Sequence, residues 1–265
     1  MIFAAGLGTR LKPLTDRMPK ALVPVGREPL LEILLRKLKK EGYDDIVINV
    51  HHFADMIEEW CSEHPMEGVK ISFSDEREQL LETGGAIKHA KPMLQDTDRF
   101  LIHNVDILSD VDLKAFREAS AGSDAALLVS ERQTQRYLIF DNEMRLVGWT
   151  NIKTGEVKSP YPAVHEAFNP NFVSSVNTVT AQMSPIQFVP SEHSYQLYAF
   201  SGIHQMSTKM LPLMDSYPEK FSIIDFYLQN CHDNVIRGVV QPEMRLMDVG
   251  KIDTLNEAEE FIKTI

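Results

Sequence analysis

The chain has 265 residues, with 43% apolar and 25% charged side chains, ordinary figures for a soluble globular protein built as one large α/β domain or two small ones. Its formal net charge is −11; this argues against a general nucleic-acid binder, which needs a basic footprint, but not against anionic substrates, because a local cluster of cations can outweigh a distant acidic surface. No apolar run is long enough to span a membrane, and the chain begins inside its first strand without a signal peptide, so the cytoplasm is the expected compartment.

The first strand, Ile2-Phe3-Ala4, runs straight into Ala5-Gly6-Leu7-Gly8-Thr9-Arg10. Glycine lets backbone N–H groups approach a phosphate closely, and Arg10 and Lys20 add charge that backbone dipoles lack. This reads as a phosphate cradle at the carboxyl end of a parallel strand; the alternative is a tight strand-to-helix turn with surface charges. It is not the dinucleotide fingerprint, because Leu11 replaces the third glycine, nor a P-loop, because no Gly-Lys-Ser/Thr follows.

Pro29 to Lys40 reads as a helix, with Leu30, Leu31, Leu34, Leu35 and Leu38 on one face and Gly42 at its end. Ile46–Val50 is a short buried strand, Ala54–Glu63 a second helix and Val69–Phe73 a third strand. This β-α-β-α-β alternation predicts a mostly parallel sheet with helices on both faces. Gly84-Gly85 opens a short helix, Ala86–Lys91, that stops at Pro92, and offers bare N–H groups to an acceptor. Arg99–His103 is a strand ending in Asn104-Val105-Asp106. An acidic residue there sits where open α/β sheets bind ligands. Asp106 suits either a Mg²⁺ ligand beside phosphates or a carboxylate that turns the chain.

Asp112 caps a helix to Ala119, Ala125–Ser130 is a strand, and Tyr137–Phe140 with Arg145–Trp149 forms a hairpin. Residues 154–194, punctuated by five prolines, read as a long ordered loop or small subdomain, for acceptor recognition or subunit contact. There His165 and Glu166 are either sugar ligands or solvated surface residues. Tyr195–Phe200 is a strand leading into a turn at Ser201-Gly202-Ile203-His204. His51, His52 and His204 have no metal-ligand spacing and read as structural. Met206, Met210 and Met214 follow helical spacing into the core. Ser222 caps a helix to Cys231, with Asp225 completing a capping box or reaching toward a ligand. Val235–Val240 and Met244–Met247 are closing strands, and a last helix starts at Asp253. Cys61 and Cys231 read as buried free thiols; a disulfide is the alternative, disfavoured in a cytosolic setting.

The combination Gly8-Thr9-Arg10-Leu11 with Pro19-Lys20-Ala21-Leu22-Val23-Pro24-Val25-Gly26 resembles the signature of sugar-1-phosphate nucleotidyltransferases. Thr83-Gly84-Gly85, Phe200-Ser201-Gly202-Ile203 and Asp248-Val249-Gly250 resemble further family features, so that the likeness covers nearly the whole chain apart from 154–194. It implies the nucleotide-diphospho-sugar transferase fold in a single domain over 1–265, with a nucleotide-binding half at 1–130 and a sugar-binding half at 131–265. It implies transfer of a nucleotidyl group from a nucleoside triphosphate to a sugar 1-phosphate, with Mg²⁺, by a monomer or small homo-oligomer.

By the same resemblance Ala5, Gly6, Gly8, Thr9, Gly84 and Asn104 contact the nucleotide. Arg10 and Lys20 hold the phosphates, and Asp106 and Asp248 bind the metal. Gly202 lines the sugar pocket. Many relatives carry Glu-Lys-Pro after the hairpin, with the lysine on the sugar phosphate; here Lys153 is the candidate substitute and Lys158 another. The compact length and the Leu-Glu-Thr-Gly-Gly turn look most like N-acetylmuramate-1-phosphate uridylyltransferases. Mannose- or heptose-1-phosphate guanylyltransferases come next, and phosphocholine cytidylyltransferases share the fold. A non-catalytic nucleotide-sugar-binding regulator would be expected to lose Arg10, Lys20 or an aspartate, and all four are present. An NAD-dependent oxidoreductase lacks support from Asn49-Val50-His51-His52, where no ribose-binding acid ends the second strand.

Overall fold

The computed structural model describes residues 1–168, the backbone of 187–188, and 194–265. The first strand, β1 (Ile2–Phe3), is followed by short 3-10 turns, a two-stranded ribbon of β2 (Pro24–Val25) and β3 (Glu28–Pro29), and α1 (Leu30–Lys40). The five leucines of α1 singled out by their spacing are all buried. Then come β4 (Asp45–Val50), α2 (Ala54–Glu63), β5 (Lys70–Asp75), α3 (Glu82–His89), α4 (Lys91–Leu94), β6 (Arg99–Asn104), β7 (Ile107–Ser109), α5 (Leu113–Ala119) and β8 (Ala125–Ser130). The second half adds β9 (Arg136–Phe140), β10 (Leu146–Asn151), β11 (Glu156–Lys158), α6 (Pro162–Ala167), β12 (Gln187–Phe188) and β13 (Tyr195–Ser207). A 3-10 segment (Thr208–Ser216), α7 (Ile223–Asn230), β14 (Ile236–Val240), β15 (Leu246–Asp248) and α8 (Thr254–Ile262) complete it.

The main sheet runs β11-β10-β9-β13-β6-β1-β4-β5, with β8 beside β13 and β14 beside β8. The pairs β6-β1, β1-β4, β4-β5 and β8-β14 are parallel, whereas β13 is antiparallel to β6, β8 and β9. Apolar layers lie on both faces. One gathers α1, α2 and the buried Phe116 of α5; the other gathers Ile87, Met206, Met210, Met214, Phe226 and Cys231. A third cluster, around Ile139, Val164 and Leu197, packs α6 onto the second half. Both cysteines are free and buried. Among the described residues no helix is long and apolar enough to cross a membrane.

Four local expectations are corrected. The helix expected from Ala86 starts at Glu82 and carries Gly84 and Gly85 inside it. Pro92 does not stop it but sits in the first turn of α4, where its missing N–H costs nothing. Residues 201–204 are no turn: β13 continues through them, with a register shift between Phe200 and His204 and Gly202 at φ 74°. This is a bulge, for which a glycine at positive φ is suited. Finally, Asp225 does not complete a capping box; Ser222 caps Ile224 N–H, and Asp225 pairs with Lys158 Nζ at 2.9 Å. Of the 154–194 segment, β11 and α6 are ordered elements that periodicity did not reveal, and most of the remainder lies outside the described residues.

Candidate active site

Three parallel strand ends set the site. Phe3 of β1 stands level with Asn49 of β4 and Asn104 of β6, so the loops after all three leave the same edge of the sheet. The chain moves from β5 back across to β6 on the other side of β1, which makes this edge a topological switch point, the usual ligand position in open α/β sheets.

Gly6, Leu7, Thr9 and Arg10 are exposed and Gly8 is half-buried, and among the described residues the N–H groups of Gly6, Leu7 and Gly8 make no internal hydrogen bond. A Cβ on Gly6 would meet nothing within 4 Å; the protein itself does not demand glycine there, whereas close approach of an anion does. Gly8 is different. Its φ is 60°, and a Cβ would stand 2.8 Å from Thr15 Cγ2 and 3.1 Å from Lys20 Cβ. Thr15 Oγ1 donates to Gly8 O at 2.8 Å. Thr9 and Arg10 open a 3-10 turn whose third residue, Leu11, is fully buried. That anchor occupies the place of the missing third glycine.

Lys20 Nζ forms an ion pair and hydrogen bond with Asp106 Oδ2, both side chains largely buried. β15 pairs antiparallel with β7 and sets Asp248 opposite Ile107, while Val249 N–H donates to Asp106 O at 2.8 Å. The two aspartates, distant in sequence, are thereby neighbours. Burial first, and then the Asp106 carboxylate, hold Asp248 above the usual carboxylate range, against the pull of Lys20, Arg10 and Arg132. Asp248 Oδ1 is buried with no hydrogen-bond partner among the described residues. A Cβ on Gly250 would lie 2.7 Å from that oxygen and 2.8 Å from Arg10 Nη2, so the glycine leaves room where Arg10 and Asp248 approach each other.

An orphaned buried carboxylate oxygen beside a second carboxylate is a costly arrangement without a cation. Among the described residues no third His, Cys, Asp or Glu joins the pair. Mg²⁺ characteristically takes one or two carboxylates plus substrate phosphates and water, so the donor set fits that ion.

Two cavities adjoin these groups. One, of about 280 Å³, is bordered by Ala4, Ala5, Gly6, Lys20, Asn104 and Asp106, and also by Asn49, Glu76, Glu82 and Thr83. The other is a cleft of about 810 Å³ lined by Arg10 and Asp248 together with Arg132, Arg136, Trp149, Lys158 and Asp225. The structure thus brings together Ala5, Gly6, Gly8, Arg10, Lys20, Asn104, Asp106 and Asp248.

It does not place every candidate there. Gly84 lies in the first turn of α3, its N–H spent on Phe221 O at 2.9 Å, and a Cβ would strike the Phe221 ring at 2.4 Å. Glycine at 84 and 85 serves helix packing; Glu82, held at φ 62°, and Thr83 border the cavity instead. Lys153 sits exposed in the β10–β11 turn, away from the cleft, whereas Lys158 reaches it, 5.4 Å from the Trp149 ring centroid. Gly202 does not line the cleft; a Cβ there would stand 2.8 Å from Asn104 Nδ2, so it backs Asn104 instead. His165 Nε2 lies 2.9 Å from Ser159 O within its own segment. Arg132, Arg136, Asn49 and Glu76 carried no motif, and only the assembled sheet reveals them.

A family model described as nucleotidyl transferase matches residues 1–137. The N-acetylmuramate alpha-1-phosphate uridylyltransferase of Caulobacter vibrioides is 44% identical over 108 residues, 40% of this chain and 44% of that protein. The UTP–glucose-1-phosphate uridylyltransferase of Synechocystis is 31% identical over 214 residues, 74% of this chain and 52% of that one. The chain spans about half the length of the curated relatives it matches. The crystal structure of HddC from Yersinia pseudotuberculosis, complexed with GMP-PN, superposes with a TM-score of 0.71 at 23% identity, over 98% of this chain and 97% of that one, and shares the fold. Since the matched half holds the phosphate loop, Lys20 and Asp106, the chain belongs to the nucleotidyl transferase family.

Proposed function

We propose that the protein transfers a uridylyl group from UTP to a sugar 1-phosphate, N-acetylmuramate 1-phosphate in first place, releasing pyrophosphate. The observation that carries this reading is the convergence of Arg10, Lys20, Asp106 and Asp248 beside a loop of unspent amides. The choice of UTP and of the acceptor draws support from the uridylyltransferases to which the first half is similar.

The reaction is one in-line displacement. An oxygen of the sugar 1-phosphate forms a bond to the α-phosphorus as the bond to the pyrophosphate oxygen breaks. The attacking oxygen is already anionic, so no general base is needed; the barrier lies in bringing anions together. The amides of Gly6 to Gly8 cradle the triphosphate, and Arg10 holds the departing pyrophosphate. Lys20 turns from Asp106 toward the charge that develops at the reacting phosphate. Asp106 and Asp248 would hold Mg²⁺, which when bound supplies charge neutralisation at the phosphates. The acceptor sugar lies in the larger cleft, with Trp149, Lys158 and Asp225 around it.

Pyrophosphate release, measured across the four nucleoside triphosphates and a panel of sugar 1-phosphates, tests the reading. UTP with N-acetylmuramate 1-phosphate should give the highest kcat/KM. Lys20→Ala should lower turnover by about a hundredfold or more, the scale for loss of one preorganised electrostatic group. Near-wild-type turnover in that variant would remove Lys20 from the mechanism, and no release with any pair would favour a nucleotide-sugar-binding regulator.

A further inference from the structure

Asn49 at the end of β4 and Glu76 just past β5 are 4% and 2% exposed. Asn49 Oδ1 accepts from Ala4 N–H at 2.7 Å and from Ala5 N–H at 3.4 Å, at the root of the phosphate loop. Asn49 Nδ2 donates to Glu76 Oε1 at 2.8 Å. Glu76 Oε2 in turn accepts from Leu81 N–H at 3.1 Å, the residue from which α3 starts. The Glu76 backbone is fixed as well: its N–H donates to Val50 O at 2.8 Å, and its carbonyl accepts from Gln79 N–H at 3.0 Å and from His51 Nδ1 at 2.6 Å.

Among the described residues no lysine or arginine forms an ion pair with Glu76. A buried carboxylate without a cation is expensive, and its retention calls for a reason beyond packing. Burial pushes its pKa up, while Asn49 and Leu81 oppose that rise. Both side chains border the smaller cavity, with phosphate-loop residues on one side and Glu82 and Thr83 on the other.

We propose that the Asn49–Glu76 pair is a positioning bridge that locks the phosphate loop and the start of α3 at one separation, so that the two ends of a single nucleotide are bound together. This rests on the nucleotidyltransferase reading above. Neither residue is assigned to the reacting atoms; both act through the loops they tie. The bridge makes affinity for a whole nucleoside triphosphate depend on a hydrogen bond between two protein side chains.

The donor and acceptor inventory offers a sharp test. Glu76→Gln leaves one amide oxygen for two donors, Asn49 Nδ2 and Leu81 N–H, and Asn49 Oδ1 is committed to the loop, so whichever way the new amide turns its NH₂ faces a donor. Asn49→Asp sets two carboxylates face to face. The double variant Asn49→Asp/Glu76→Gln reverses the donor and restores every bond with the same net charge. Each single variant should raise KM for UTP about ten- to a hundredfold, the scale of one lost hydrogen bond to a charged partner, with KM for the sugar 1-phosphate unmoved. The double variant should return KM for UTP close to wild type.

Calorimetric titration with UTP and with inorganic triphosphate isolates the tie: the advantage of UTP over triphosphate should shrink in the single variants and recover in the double. An unchanged ratio in the single variants, or a double variant no better than the worse single, overturns the bridge. If the single variants fail to fold, the double variant must still bind UTP as wild type does, or the proposal fails. Absence of pyrophosphate release by the wild-type protein would instead count against the transferase reading, and the two titrations would still decide the bridge.

Discussion

His103 and His204 lie on the adjacent strands β6 and β13, where His103 faces Ile203 and His204 faces Ile102, and each is 1% exposed. Burial drives His103 down to about 4 and His204 down to about 3. His204 Nδ1 lies 2.6 Å from Tyr227 Oη, and its ring packs against those of Phe200 and Tyr227. Unfolded histidine titrates near pH 6.5. Below that pH the unfolded chain takes up protons that the native fold refuses. Stability is therefore full above pH 6.5 and is lost as pH falls toward the folded values. Each such histidine adds a slope of about 1.4 kcal/mol per pH unit through that window. His204→Phe keeps the ring in the core and should flatten the wild-type slope by about one proton's worth between pH 6.5 and 5. Urea unfolding at half-unit pH steps checks this; an unchanged slope would mean that His204 titrates freely in the native state. Its structural role is the reading the sequence favours, but its burial is not legible there, since the burial depends on a strand that reads as interrupted.

At the scale of elements, hydrophobic spacing located α1, α2, β4, β6, β8 and the β9–β10 hairpin closely, because each buries a continuous apolar face. What it missed depends on tertiary neighbours. β13 reads as a strand and a turn because Gly202 interrupts its pattern, yet pairing on both sides carries the strand through. Lys153 and Lys158 cannot be ranked without β11, a three-residue strand whose exposed pattern gives no period. The same holds for the Gly84-Gly85 pair. As sequence it marks a phosphate- or base-facing turn; in the fold it is where α3 meets the 219–221 segment. Glycine within a helix ordinarily costs about 1 kcal/mol relative to alanine, so Gly85→Ala would be expected to stabilise an isolated helix. Here a Cβ would lie 2.1 Å from Glu219 O, a backbone atom. The clash should reverse the sign, at about 1–3 kcal/mol of destabilisation, the cost of overpacking. A fall in Tm of several degrees, on the scale of about 2–4 °C per kcal/mol for domains near this size, would bear this out; a rise would show that the 219–221 segment moves aside freely.

For the molecule as a whole, the charge is divided. The chain carries −11, yet among the described residues Arg10, Arg132, Arg136, Lys158 and Lys251 share one cleft with only Asp225 and Asp248 among its lining acids. Positions 169–193 hold no lysine or arginine and a single acidic residue, Glu192, so that stretch does not reverse the balance. Like charges gathered in one cleft repel, and entering anions relieve that repulsion; an acidic exterior around a cationic cleft also focuses the field there. Lys158 is neutralised by Asp225, whereas Arg136 has no ion-pair partner among the described residues and lines the cleft proposed above for the acceptor sugar. Two consequences follow from this division. Raising salt from about 50 to about 500 mM shortens the screening length severalfold and should raise KM for both anionic substrates. Arg136→Ala should raise KM for the sugar 1-phosphate by about fivefold, the scale of one exposed ion pair, without moving KM for UTP, and the variant should lose part of the salt dependence for the acceptor alone. Steady-state kinetics with each substrate varied in turn, at two salt concentrations, separates the outcomes. An Arg136→Ala effect on KM for UTP alone would place the arginine against the triphosphate instead, and an effect on both KM values would place it between the two substrates, so that the larger cleft would hold part of the triphosphate as well as the acceptor.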